Sequence, residues 1–188
     1  LVAPLVVDPS GTPEASVGLF PTPARERNHA LKLDKLTRAP GRTCPFPDQT
    51  GPVDWASGCA WLLRAEAARE VGPLDERFFM YFDDVDYCRR LWSSGWQVLA
   101  TRTVQVEHRA GHGSSATGAL AAEGGMSPTR YFEKHFTARE AERATRWLVR
   151  GWQLRAMAHQ VANWFGRPDA AARAARYRQA LARTRGAQ

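Results

Sequence analysis

Three carboxylates in four residues, Asp83-Asp84-Val85-Asp86, end the aromatic run Phe78-Phe79-Met80-Tyr81-Phe82. Crowded acids repel one another, and beside an apolar wall their ionised forms are poorly solvated. Both effects raise a carboxyl pKa and make a general base. Val85, Cys88, Leu91 and Trp92 recur at helical spacing up to Gly95, so the acids fall in the first turn of an amphipathic helix. The plainer alternative is that Asp83 or Asp84 only caps that helix, where free N–H groups favour negative charge. A cap needs one acid, and here there are three. A calcium loop is excluded, because the glycine and closing glutamate it needs are absent at the required offsets.

The elements that must hold this stretch read as alternating strands and helices. Val2–Val7 is expected as a strand, followed by a turn at Asp8-Pro9-Ser10-Gly11. Ala15–Phe20 reads as a second strand, ended by Pro21 and Pro23. Residues 24–52, with prolines 40, 45, 47 and 52, read as a long loop with one short helix around His29–Leu36. Cys59–Leu63 reads as a buried strand, Ala65–Val71 as a helix closed by Gly72 and Pro73, and 97–100 and 103–107 as two short strands. Arg109–Gly125 is rich in small residues and reads as a loop, and Thr129–Phe136 as a helix. Thr137-Ala138-Arg139-Glu140 has capping-box spacing and opens a helix reaching Phe165, with a last helix from Pro168 to about Arg183. On the long helix Ala144, Trp147, Leu148, Gly151, Leu154, Ala158, Val161 and Phe165 are expected on an apolar face.

The 188 residues carry a formal charge of +7, unevenly placed. From Arg143 onward ten arginines face one acid, Asp169, giving +9, and the preceding part carries −2. A basic tail with Trp147, Trp152, Trp164 and Phe165 on a helix suits an anionic membrane interface over 138–165. Packing of that helix on protein is the competing reading. The three cysteines, Cys44, Cys59 and Cys88, have no metal-type spacing; Cys59 and Cys88 sit in apolar runs and read as buried thiols, which fits a reducing compartment. No apolar run is long enough to span a bilayer. Residue 1 is Leu in what reads as a strand, which suggests a piece of a longer protein.

Val53-Asp54-Trp55-Ala56-Ser57-Gly58-Cys59-Ala60-Trp61-Leu62-Leu63-Arg64, then Val71-Gly72-Pro73-Leu74-Asp75-Glu76-Arg77 running into the acids, then Gly95-Trp96 and Val106-Glu107-His108, resemble the C-terminal half of family 2 glycosyltransferases. The likeness is greatest to rhamnosyltransferase-like members acting on lipid-linked cell-envelope glycans. It covers about residues 1–136. It implies an α/β fold, the C-terminal part of a GT-A domain with a mixed sheet and flanking helices, with 137–188 as a basic helical extension. It implies an inverting transferase with Asp84 as base and Asp83 beside it, standing where the family often has Glu. Trp55, Ser57, Gly58, Tyr81 and Asp86 fall on the acceptor side, Asp86 orienting either the loop or the acceptor. His108 matches a metal-binding histidine for Mn2+ or Mg2+. Trp61 reads as core, and His112, Ser114 and Ser115 as a loop able to close over a diphosphate.

The family's nucleotide-binding half and its Asp-x-Asp are not in this sequence. The metal site is therefore expected to be incomplete and the chain alone inactive. The partners implied are a nucleotide-sugar donor and a glycan or polyprenyl-linked acceptor, at the inner face of the cytoplasmic membrane. A non-catalytic nucleic-acid- or glycan-binding module is the alternative; the acidic body disfavours nucleic acid.

Overall fold

A computed structural model describes residues 1–36, 44–109 and 117–186. They divide into two compact units, Leu1–Phe20 with Arg42–Ser115, and Pro21–Gly41 with Ala116–Gln188. This division differs from the one expected after residue 136.

The first unit is mixed α/β. Strand β1 (Val2–Val7) lies parallel to the last strand of the unit, Leu99–Glu107, and Gly51–Pro52 pairs antiparallel with that strand's other edge. In chain order Val17–Gly18 is β2, Gly51–Pro52 β3, Trp55–Ala56 β4 and Leu99–Glu107 β5; β2 and β4 form a separate antiparallel pair. The two short strands expected over 97–107 are one, with a register shift opposite Pro4/Leu5. Pro4 has no N–H for the ladder, and the shift falls beside it. After β1, the Asp8 carboxylate accepts bonds from Ser10 N at 2.8 Å and Thr12 N at 2.9 Å, and Gly11 sits at φ 82°. That is the Asx-type turn its residues dictate.

Cys59–Leu63 is not a buried strand. Only Leu62 pairs, in an isolated bridge to Val2, and its side chain is exposed. Trp61 and Leu63 pack half-buried against the core, Trp61 stacked on Tyr87 at 5.7 Å, as the core reading of Trp61 requires, while Leu62 between them points to solvent. The helices here are Ala65–Val71, ended by Gly72 at φ 79°, and Asp83–Ser93. Val85, Cys88 and Leu91 of the latter are buried, as their spacing requires, and Cys88 and Leu91 pack with Ala3, Ala56, Val98 and Ala100.

In the second unit Pro23–Ala30 is α1 and Leu33–Leu36 α2, so helix begins upstream of the one expected at His29. Thr22 caps α1 through Arg25 N and Pro23 occupies the first turn. A proline that reads as a strand end is here a helix start. With Ala65–Val71 as α3 and Asp83–Ser93 as α4, the remaining helices are α5 (Thr117–His135), α6 (Ala138–Trp164) and α7 (Ala170–Gly186). Helix α5 starts well before Thr129 and contains Pro128. Both halves of the capping box at Thr137 and Glu140 form. Ala141, Ala144, Leu148 and Gly151 of α6 are buried; Gly151 faces Ala30 so closely that a Cβ there would lie 3.1 Å from the Ala30 Cβ. Beyond Gly151 the apolar side of α6 is not covered: Leu154, Met157, Val161, Trp164 and Phe165 are all exposed. No described helix is long and apolar enough to cross a membrane.

Candidate active site

Helix α4 begins abruptly. Tyr81 and Phe82 both adopt left-handed backbone, at φ 63° and 67°, immediately before Asp83. Such a conformation costs about 1–3 kcal/mol for a non-glycine residue and gathers at functional sites. The aromatic run before the acids is not the buried segment its composition suggests. Phe78 is buried, but Phe79 and Tyr81 are exposed. Two successive left-handed residues turn the chain too sharply for the run to lie in a core.

Asp84 is not the N-cap. That position belongs to Phe82, and no side chain caps it. The Asp84 carboxylate is half-buried inside the first turn, accepting from Val85 N at 2.8 Å through Oδ1 and from Gly58 N at 3.2 Å through Oδ2. Its pKa is pushed up to about 6, first by burial and then by the charge of Asp83, against the lowering effect of the backbone N–H groups. At pH 7 a group with that pKa is roughly nine-tenths ionised and close to proton balance, the range suited to a general base. Asp83 is half-buried beside it.

Asp86 plays a different part from an acceptor ligand. Its side chain has no exposed surface and binds Arg90 Nε at 2.9 Å. Arg90 also donates to Val71 O at 2.7 Å and Pro73 O at 2.8 Å. The pair ties the start of α4 to the end of α3, which suits the loop-orienting role and leaves no surface for acceptor contact. Trp55 donates from Nε1 to Leu19 O at 3.1 Å and is half-buried. Ser57 N donates to Ser16 O at 2.8 Å, holding Gly58 exposed against Asp84. Of Trp55, Ser57 and Gly58, it is Gly58 whose N–H is hydrogen-bonded to Asp84. Cys88, fully buried beneath it, has its thiol pushed up to about 12 by burial and is chemically inert.

His108, at the end of β5, is held by its backbone N to Val7 O at 2.8 Å and by Nδ1 to Glu14 Oε2 at 3.1 Å. Glu14 is a residue that sequence reasoning passed over; a lone Glu after a turn proline carries no signal. The same Glu14 raises the Cys59 thiol pKa, secondarily to burial. Gly58 touches Asp84, and Glu14 touches His108.

The resemblance implies a divalent metal. An imidazole with Nδ1 tied to a carboxylate and Nε2 making no hydrogen bond among the described residues is oriented as metal-binding histidines are. The fit is to one corner of a site, since among the described residues no three His, Cys, Asp or Glu side chains gather for a metal ion. His112, Ser114 and Ser115 lie outside the described residues.

The chain is similar to glycosyltransferases. It is 34% identical over 115 residues to an N-acetylglucosaminyl-diphospho-decaprenol L-rhamnosyltransferase of Mycobacterium tuberculosis, covering 59% of this chain and 38% of that protein. It is 31% identical over 101 residues to the low-salt glycan biosynthesis hexosyltransferase Agl10 of Haloferax volcanii, covering 53% of this chain and 26% of that protein. The chain thus spans well under half the length of these curated relatives. No protein-family profile and no solved structure matches it.

Proposed function

We propose that this chain is the acceptor-side, base-carrying part of an inverting GT-A glycosyltransferase of family 2, working in cell-envelope glycan synthesis. Asp84 takes the proton from an acceptor hydroxyl as its oxygen attacks the anomeric carbon of a nucleotide-activated sugar, rhamnose being the sugar one relative's name suggests. The diphosphate leaves with the nucleotide. The observation that carries the reading is the Asp84 carboxyl, raised to about 6 at a strained helix start and touching the exposed Gly58 N–H.

Asp83 keeps Asp84 basic. Tyr81 and Trp55 flank the acceptor, and the Asp86–Arg90 pair fixes the loop that presents the base. His108, oriented by Glu14, would hold one position of a Mn2+ or Mg2+ ion that balances the departing diphosphate, with the other ligands contributed by residues outside this chain. The acceptor is a glycan on a polyprenyl diphosphate, reached from the inner face of an anionic membrane through 138–165.

The test is sugar transfer to a polyprenyl-diphospho-N-acetylglucosamine, measured in the gene product as the cell makes it. Asp84→Asn is expected to lower kcat by about 10²–10⁴-fold, the usual worth of a general base, with acceptor KM little changed. An unchanged kcat contradicts the assignment. The 188 residues by themselves are expected to bind acceptor without turnover. A glycan-binding module without catalysis instead requires that the substitution leave the biological role intact.

A further inference from the structure

Within the helical unit, the turn after α1, the second half of α6 and the start of α7 enclose a cavity of about 700 Å³. Its wall carries Lys32, Arg155, Arg167 and Arg173, and no Asp or Glu. None of these four cations has an ion pair among the described residues. Arg155 is fixed in place, donating from Nη2 to His29 O at 3.0 Å. Lys32 is set at the rim by a left-handed turn, φ 56°, and α7 is entered through a second one at Asp169, φ 62°. His159, also on the wall, is stacked on Tyr177 at 5.8 Å. The remainder of the wall is aliphatic, including Leu31, Leu154, Ala158 and Pro168.

Four cations without a counter-charge concentrate anions, and arginines match phosphate oxygens in a planar fork. An inorganic phosphate or a nucleotide would leave the aliphatic wall unused, and a neutral apolar ligand would leave the cations unused. An amphiphile with a phosphate head uses both. Leu154 belongs at once to this wall and to the uncovered stripe that continues through Met157, Val161, Trp164 and Phe165. The cavity therefore opens beside an apolar strip ending in two exposed aromatics, the arrangement of a helix seated at the headgroup level of a bilayer.

We propose that this cavity is a headgroup site for an anionic phospholipid, with Lys32, Arg155, Arg167 and Arg173 around the phosphate and the α6 stripe in the acyl boundary. The inference rests on the membrane reading given above and specifies where the lipid is held. It separates a specific site from the general attraction of a basic tail. Arg143 and Arg176, exposed and outside the cavity, share that general attraction.

The test compares two double variants of equal charge, Lys32→Gln/Arg173→Gln and Arg143→Gln/Arg176→Gln, binding to vesicles of phosphatidylglycerol in phosphatidylcholine. The cavity pair is expected to weaken binding at least about tenfold more than the control pair, since forked contacts exceed the screened pull of a surface arginine. Short-chain dihexanoyl phosphatidylglycerol, below its micelle concentration, should bind the parent chain one to one and the cavity variant not at all. Equal losses in the two pairs, with Trp164→Ser/Phe165→Ser abolishing vesicle binding, overturn the cavity site and leave the membrane reading standing. No vesicle binding by the parent chain overturns both. Inorganic phosphate or a short-chain prenyl diphosphate binding as tightly as the phospholipid overturns the assignment to phospholipid.

Discussion

Replacing Asp84 by asparagine should make the protein more stable at neutral pH. The carboxyl pKa rises from 3.8 to about 6, with burial the larger cause and Asp83 the smaller. A rise of that size corresponds to about 3 kcal/mol, at about 1.4 kcal/mol per pH unit. The sign follows from proton binding. Between 3.8 and about 6 the folded chain holds the proton more tightly than the unfolded chain, so this group's contribution to stability falls as pH rises and is at its lowest above 6. The amide in the variant does not ionise. It also leaves one of the two N–H donors, Gly58 or Val85, without a carboxylate oxygen, a loss of about 1 kcal/mol at any pH. The variant should therefore be equal to or about 1 kcal/mol weaker than the parent at pH 4, and about 1–2 kcal/mol stronger at pH 8. Urea unfolding of both proteins between pH 4 and 8 reads the difference, because carboxylates away from Asp84 titrate alike in each. A difference that stays flat with pH, or falls as pH rises, refutes the argument that Asp84 is held ionised against its surroundings.

Asp86→Ala should destabilise the first unit by about 3–5 kcal/mol, because it strands the Arg90 guanidinium among buried groups; a loss below 1 kcal/mol in urea unfolding would show the pair to be solvated. Gly151→Ala should cost about 1–2 kcal/mol despite the better helix propensity of alanine, since the added carbon meets the Ala30 Cβ at 3.1 Å and its Cα at 3.2 Å. A raised melting temperature would show that α1 gives way freely. Mn2+ added in small amounts should broaden the His108 ring signals before those of the other histidines, and His108→Ala should remove that preference; uniform broadening contradicts the metal-corner reading.

The α4 helix and its buried face were legible because Val85, Cys88 and Leu91 repeat at a period that only a helix satisfies. The capping box at Thr137 was legible because two side chains three apart satisfy each other's backbone. Glu14 was invisible, since its role depends on β1 and β5 lying side by side, a contact between residues 94 apart in the chain. The burial of Asp86 was hidden for the same reason: its partner Arg90 is local, but the Val71 and Pro73 carbonyls that complete the set come from another helix end. The start of α1 was misread because proline ends a strand and opens a helix by the same missing N–H. On α6 the expected apolar face is buried at Ala144, Leu148 and Gly151, and exposed at Leu154, Val161 and Phe165. Spacing alone does not say which stretch of an apolar face is covered, and here Leu154, Met157 and Val161 stay exposed while α7 packs beside them at His159.

The most direct measurement is a carbon-detected NMR titration of the Asp84 side-chain carboxyl. A midpoint near 6 is expected, and a lower midpoint in Asp83→Asn that still lies above 3.8, because burial outweighs the neighbouring charge. A midpoint below 4 in the parent chain would mean that Asp84 is an ordinary first-turn carboxylate, and the proposed base would have to be sought elsewhere.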